Sequence, residues 1–340
     1  YVTQLFTPDW IVKYMVENSL GRYWIERNKN TDLIKNWKFF LDSNVENIQE
    51  KISPTDITFI DPCCGSGHIL VYAFEVLFQI YQSVGYSKND IPSLILENNL
   101  YGLDTDDRAG QLSVLSILLK AREYDKNIFN KKIIYKLNIM SIQESNNINN
   151  IDNLKIDEHE KEKVNKLIKL FDDAKNIGSL LLLEEEDYSK IEKALNEDDT
   201  IFGIELRNKL QPIIKIATLL NKKYNIVVTN PPYLTNKNMN KRLQTFVNKY
   251  YESSKRDLFS CFIKQCCNLT KKNGIYAMIT IHTWMFLSAF KKIRNEVVIN
   301  NKIISMVHLG AGVFKEINTF NVLAASFVIQ KIPIEDYEST

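Results

Sequence analysis

No run of ~18 apolar residues occurs in the 340-residue sequence, so no membrane-spanning helix is expected. No signal-peptide pattern opens it. Cysteine is scarce. Cys63, Cys64, Cys261, Cys266 and Cys267 are too few for a disulfide scaffold in a chain this long. No C-x-x-C pair is present and adjacent cysteines rarely share one tetrahedral ion, so no metal site is expected. Reduced thiols in a cytoplasmic protein are the plain reading. An excess of either charge is also missing. The 43 Lys+Arg face 41 Asp+Glu, so composition by itself announces no nucleic-acid binder. Internal repeats are absent. The remaining composition, 45% hydrophobic and 25% charged, excludes a collagen-like or wholly disordered chain. At roughly 100–200 residues per domain, the length suits about two domains, or one large domain with an insertion. Motif-bearing sequence begins at once from Tyr1, so a piece of a longer protein is expected.

Seven strand-like segments alternate with amphipathic helical ones. Thr7 is placed to cap a first helix, Pro8 suits its first position and Gly21 its stop. Ile57–Ile60 reads as a buried strand running into a glycine-rich turn, followed by a helix through Ile69, Leu70, Ala73, Phe74, Leu77 and Phe78. Leu100–Asp104 is a second strand, followed by a helix over about 108–122, and Lys132–Leu137 a third. Asn225–Thr229, Gly274–Ile279, Ile303–Leu309 and Val322–Ile329 complete the set, with a helix over about 257–269. Such alternation implies an α/β fold: a mainly parallel sheet with helices on both faces. Three regions are expected. Residues 1–144 hold the N-terminal helix and a ligand-binding half, and 223–340 hold a second half of the same domain. Residues 145–222, rich in Asn, Lys, Asp, Glu and Ile, form a partly mobile helical insertion to which no chemistry is assigned.

Open α/β sheets bind ligands outside the carboxyl ends of their strands. Two features sit at such ends. Asp61-Pro62-Cys63-Cys64-Gly65-Ser66-Gly67 is a turn in which Gly65 and Gly67 let the backbone approach a ligand. Asp104 ends the next strand, 43 residues after Asp61, where a carboxylate accepts both hydroxyls of a ribose. The turn is not G-x-G-x-x-G, and the spacing exceeds the ~20 residues of a dinucleotide fingerprint. A nucleoside cofactor without a pyrophosphate, such as S-adenosylmethionine, fits better than NAD. Either feature alone has a plainer reading, as a tight turn and a helix cap.

Asn230-Pro231-Pro232-Tyr233 follows the fourth strand. Two prolines fix φ twice and remove two donors, so the segment is stiff and presents carbonyls. The Asn230 side-chain oxygen and the Pro231 carbonyl can accept from one –NH2 group, with the Tyr233 ring beside them. Methylation of an exocyclic amine needs this. The amine lone pair is delocalised into its ring, and two acceptors favour a pyramidal, nucleophilic nitrogen and stabilise its developing positive charge. The rest is in-line positioning.

Together these motifs resemble the γ-type adenine-N6 DNA methyltransferases, above all the large enzymes of phage-defence and type IIG restriction–modification systems. The resemblance covers most of the chain outside 145–222. It implies a Rossmann-like S-adenosylmethionine-dependent fold of seven strands, the last antiparallel. Gln4-Leu5-Phe6-Thr7-Pro8 is similar to the motif that closes over the methionine part of the cofactor, so Phe6, Thr7 and Pro8 are expected to touch it. Asp61, Pro62, Cys63, Gly65 and Gly67 match the cofactor turn, and Asp104 the ribose carboxylate. Asn230, Pro231, Pro232 and Tyr233 match the catalytic motif, and Asp257-Leu258-Phe259 the helix start lining the adenine pocket. Phe314 matches a late aromatic ring that stacks on the target base; Phe320 is its rival. The family usually offers an acidic residue to the cofactor adenine after the third strand. Here the segment is Leu137-Asn138-Ile139-Met140-Ser141, and Asn138 takes that role.

The expected partner is double-stranded DNA, with no membrane; other defence-system or restriction subunits are also implied. A duplex adenine must be flipped out, costing a few kcal/mol. Stacking between Tyr233 and Phe314 returns ~1–3 kcal/mol per base. Lys237, Lys241, Arg242, Lys249, Lys255 and Arg256 read equally as phosphate contacts or as a solvated basic surface. His68, His282 and His308 read as packing or surface residues, because the methylated amine sheds its proton readily. Near-neutral charge places the sequence reader outside this chain, in a target-recognition domain expected beyond residue 340. Two alternatives stay open: methylation of RNA bases or of a protein glutamine amide, and a non-enzymatic subunit that only binds S-adenosylmethionine.

Overall fold

The computed structural model describes residues 7–28, 31–130, 136–146, 148, 151–152, 154–310, 312–313 and 323–332. In chain order, helices α1 (Asp9–Val16) and α2 (Arg22–Asn28) precede β1 (Phe59–Asp61), and α3 (His68–Ser83) and α4 (Ile91–Leu94) precede β2 (Leu100–Asp104). Next come α5 (Asp107–Tyr124), β3 (Asn138–Ser141), α6 (Glu158–Phe171), α7 (Ala174–Ile177), α8 (Ser189–Glu197) and α9 (Ile201–Asn221). The chain continues through β4 (Tyr224–Thr229), α10 (Lys241–Tyr250), α11 (Leu258–Leu269), β5 (Thr270–Ile281), α12 (Lys291–Asn300), β6 (Lys302–Gly310) and β7 (Ala324–Gln330).

The strands form one sheet in the order β3-β2-β1-β4-β5-β7-β6. The pairs among β1 to β5 are parallel, and β7 runs antiparallel between β5 and β6. The seven-stranded, mainly parallel sheet with an antiparallel last strand is therefore observed. Successive strand side chains alternate between faces. Phe59, Ile226, Val228, Ile275, Ala277 and Val328 join one apolar cluster, with α1 and α3. Their neighbours Ile60, Val227, Tyr276, Met278 and Phe327 join the other, with α9 and α11. Both faces are covered, which is why β4 and β7 are buried along their whole length.

Three expectations change. The first helix does not stop at Gly21. It passes through a π-type turn, Glu17–Gly21, into α2. A Cβ on Gly21 would stand 2.8 Å from the Trp37 ring, so close packing, not helix termination, requires glycine there. Thr7 does not cap α1 with its side chain; Pro8 occupies the N-cap. The third strand is β3 at Asn138–Ser141, later than the expected Lys132–Leu137, of which residues 132–135 lie outside the described residues. Within the 145–222 insertion, Val164, Leu167, Phe171, Leu210 and Ile214 share an apolar cluster with the sheet residues Tyr101 and Leu103.

The turn before α3 makes one stability prediction. Gly67 has φ +85°, and a Cβ there would meet the Ser113 Oγ at 2.6 Å and the Ser113 Cα at 3.0 Å. Gly85 has φ +88° but open space around it. Gly67→Ala is expected to cost on the order of 2–4 kcal/mol, from left-handed strain plus overpacking. Gly85→Ala should cost about 1 kcal/mol, from strain alone. Urea unfolding of the two variants checks this; equal losses would mean the Ser113 contact is relieved at no cost.

Candidate functional site

The order of strands reverses between β1 and β4, which opens a crevice beyond their carboxyl ends. A cavity of about 790 Å³ lies there, within the range of small-molecule sites. Asp61 ends β1 on its floor and is 1% exposed. Its Oδ1 accepts the Thr229 hydroxyl at 2.7 Å and the Cys63 amide at 3.0 Å. Burial pushes its carboxyl up to about 7 against those two bonds, and the Asp104 charge pushes the same way. Asp104 ends β2. Its Oδ2 accepts the Gly65 amide and its Oδ1 the Asp106 amide, both at 2.9 Å. One carboxylate thus ties the glycine-rich turn to the start of α5, and each oxygen keeps a further lone pair.

Asn230 to Tyr233 leaves β4 along the same cavity. The Asn230 Nδ2 donates to Thr7 Oγ1 at 2.9 Å, and the Tyr233 hydroxyl donates to Asn230 Oδ1 at 2.9 Å. Thr7 is 6% exposed and also lines the cavity. Behind this segment Asp257 caps α11 in a capping box with Ser260. Its Oδ1 also accepts the Leu234 amide at 3.2 Å, and the Leu258 amide donates to the Leu234 carbonyl at 2.9 Å. Burial holds the Asp257 carboxyl above the usual range. The Tyr233 and Phe259 rings pack in a T-shape, with their centroids 6.2 Å apart. The stiff segment is therefore pinned at both ends, by Thr7 and by the cap of α11.

Thr7, Asp61, Pro62, Cys63, Gly65, Asp104 and Asn230–Tyr233 are brought together on one cavity. Three expected residues are not. Pro8 faces α1, its carbonyl accepting the Ile11 and Val12 amides. Gly67 supports the turn from behind, against Ser113. Asn138 is a correction. It opens β3 instead of following it, pairs with Tyr101, and donates to the Glu97 carbonyl at 3.1 Å. That is the end of the sheet away from the cavity; at the cavity end, Asp104 pairs with Ser141. Phe6, Phe314 and Phe320 lie outside the described residues. Cavity residues given no role from the sequence include Thr105, Asn240, Leu243 and the run Lys175–Ser179, and His68, read there as a packing or surface residue, also lines it. That run belongs to the 145–222 insertion, to which the sequence assigned no chemistry. No local signal marked it, because it reaches the cavity only through tertiary packing. His68 is half-buried, and burial holds its imidazole below the usual range. His282 and His308 stack on each other away from the cavity, with Nδ1 and Nε2 2.9 Å apart. Of the basic residues, Arg242 donates to the Asp172 carbonyl at 3.1 Å.

"Adenine-specific methyltransferase PglX" of Lacticaseibacillus casei (strain Zhang) is 39% identical over 373 residues, spanning 100% of this chain and 30% of that protein. "Adenine-specific methyltransferase BrxX" of Escherichia coli O9:H4 (strain HS) is 35% identical over 368 residues, 96% of this chain and 30% of that protein. The chain thus spans about a third of the length of these curated relatives. Among solved structures, the ATP-dependent Type ISP restriction-modification enzyme LlaBIII bound to DNA superposes with a TM-score of 0.55 at 12% identity, covering 98% of this chain and 19% of that one. The DrdV–DNA complex gives 0.54 at 13% identity, covering 96% and 26%. At such identities the fold alone is shared. The model of the Eco57I restriction-modification methylase family matches residues 98–314, and the chain belongs to that family.

Proposed function

We propose that this chain is the methyl-transferring part of a DNA methyltransferase that modifies the N6 amino group of a flipped-out adenine, in a restriction–modification or phage-defence system of the cytoplasm. One observation carries the reading: the glycine-rich turn with Asp104 and the stiff Asn230–Tyr233 segment line the same cavity. The residues fit S-adenosylmethionine. Asp104 keeps lone pairs for two ribose hydroxyls, Gly65 removes side-chain bulk from the turn, and the buried acid Asp61 suits a cationic ligand. When bound, that cofactor supplies an electrophilic methyl group on a sulfonium sulfur. The chain's own residues do the remainder. Asn230 Oδ1 and the Pro231 carbonyl accept the hydrogens of the target amine, which localises its lone pair. Thr7 holds the Asn230 carboxamide, so no reorganisation is needed at the moment of attack. The Tyr233 ring offers a face on which the extruded base can stack. The relatives named for adenine-specific methylation support the substrate.

Transfer of tritium from labelled S-adenosylmethionine to duplex DNA, RNA or protein tests the proposal, using the full-length enzyme. Label recovered as N6-methyladenine in DNA is the expected result. Label in RNA, in protein, or in nothing would replace it with one of the alternatives.

Asp61 adds a pH prediction. Its folded-state value of about 7 exceeds its ordinary 3.8, so the ligand-free protein loses stability as pH rises between them. A cation bound in the cavity favours the carboxylate and releases its proton. Affinity for S-adenosylmethionine should therefore rise about tenfold from pH 6 to pH 8. S-adenosylhomocysteine, without the sulfonium charge, should respond less. Calorimetry in two buffers of different ionisation enthalpy reads the proton release directly, and equal affinities at both pH values would reject the linkage.

A further inference from the structure

Beyond Asp104, the cavity wall on the β3 side does not come from the residues after β3. The Ile142 amide continues the sheet pairing onto the Asp104 carbonyl at 2.7 Å, and its side chain is fully buried. The Gln143 side chain turns outward, donating to Asp107 at 3.0 Å. The wall is built instead by Lys175–Ser179, at the end of α7, about thirty residues further along the chain.

This strap is anchored to both halves of the domain. On the β1–β2 side, Ser179 Oγ donates to the Pro62 carbonyl at 2.5 Å, and Lys175 Nζ pairs with Asp107 at 2.6 Å. On the β4 side, Gln265 donates to the Ser179 carbonyl and the Tyr251 hydroxyl to the Leu180 carbonyl, both at 2.8 Å. Gly178 has φ +65°, and a Cβ there would stand 2.8 Å from Thr105 Cγ2, right beside Asp104. Ile177 is 5% exposed and belongs to the apolar cluster of Leu258 and Phe262, which also line the cavity. Asn176 lines it with a carboxamide whose Oδ1 accepts from the Asn240 amide at 2.7 Å. That oxygen keeps a second lone pair, and Nδ2 keeps its donors. A carboxamide is the side chain that matches adenine's adjacent amine and ring-nitrogen acceptor.

We propose that the strap is the purine-reading wall of the cofactor site, with Ile177 against the ring and Asn176 on its amine edge, in the place sequence reasoning gave to Asn138. This rests on the S-adenosylmethionine reading above.

The test uses two nucleosides, S-adenosylhomocysteine and S-inosylhomocysteine, in which a carbonyl replaces the amine. The full-length protein should bind the adenosyl form at least about tenfold more tightly. Asn176→Ala, a change at an exposed residue, should weaken the adenosyl form about tenfold and leave the inosyl form unchanged, so the preference disappears. A variant that keeps the full preference would overturn the proposal. So would an equal loss for both nucleosides, which is what a merely structural role through Asn240 predicts. Failure of the unmodified protein to bind either nucleoside would instead overturn the cofactor reading beneath it.

Discussion

Replacing Asn230 by alanine is expected to lower kcat for DNA methylation by about 10²–10³-fold or more, with the fold and cofactor affinity retained. An arylamine is a poor nucleophile until its hydrogens are held by acceptors that favour a pyramidal nitrogen. Asn230 Oδ1 is one of two such acceptors, and the other is a backbone carbonyl that mutation cannot remove. Its position is set by partners on both sides, Thr7 at 2.9 Å and the Tyr233 hydroxyl at 2.9 Å. Truncation therefore removes an oriented group that is worth most when charge develops on the amine, so the loss falls on kcat more than on KM. Asn230→Asp retains acceptor oxygens and should fall between the two. Single-turnover methylation by the full-length enzyme, with cofactor affinity measured by calorimetry, reads both quantities. A variant within tenfold of the unmodified kcat would remove Asn230 from the chemistry.

Asp104→Ala should weaken S-adenosylmethionine binding about 100-fold, while DNA binding by the full-length protein stays near normal. Charge-assisted hydrogen bonds contribute ~1.5–3 kcal/mol each, and two to a ribose would suffice for this loss. Part of the effect passes through the protein itself. The same carboxylate holds the Gly65 and Asp106 amides at 2.9 Å, so its loss loosens the turn that approaches the ligand. That double duty makes Asp104→Asn a poor substitute. An amide nitrogen placed at either oxygen's position would face a backbone N–H, donor against donor. Asn and Ala variants of similar weakness are thus the expected pattern. Unchanged cofactor affinity in Asp104→Ala would reject the ribose role.

Much of this architecture was readable locally. Leu100–Asp104 matches β2, and the helices expected over 108–122 and 257–269 appear as Asp107–Tyr124 and Leu258–Leu269. Their hydrophobic periods and caps are properties of neighbouring residues, which the chain carries without help from the fold. Gly21 shows the limit of that logic. A glycine after a helical pattern reads as a stop, yet the helix continues because the Trp37 ring, distant in sequence, needs the space. Asn138 shows another. A shift of a few residues in where β3 begins moved it from the ligand end of the sheet to the opposite end.

By itself, the sequence determined the alternation of strands and helices and the residues at the ends of β1, β2 and β4, because short-range periodicity and turn chemistry specify them. Only the tertiary structure decided that Lys175–Ser179 closes the cavity, that Thr7 grips Asn230, and that Asp61 is buried enough to titrate near neutrality. Those outcomes depend on contacts between segments up to 223 residues apart, as in the Thr7–Asn230 bond, and no local pattern encodes a desolvated carboxylate or a returning loop.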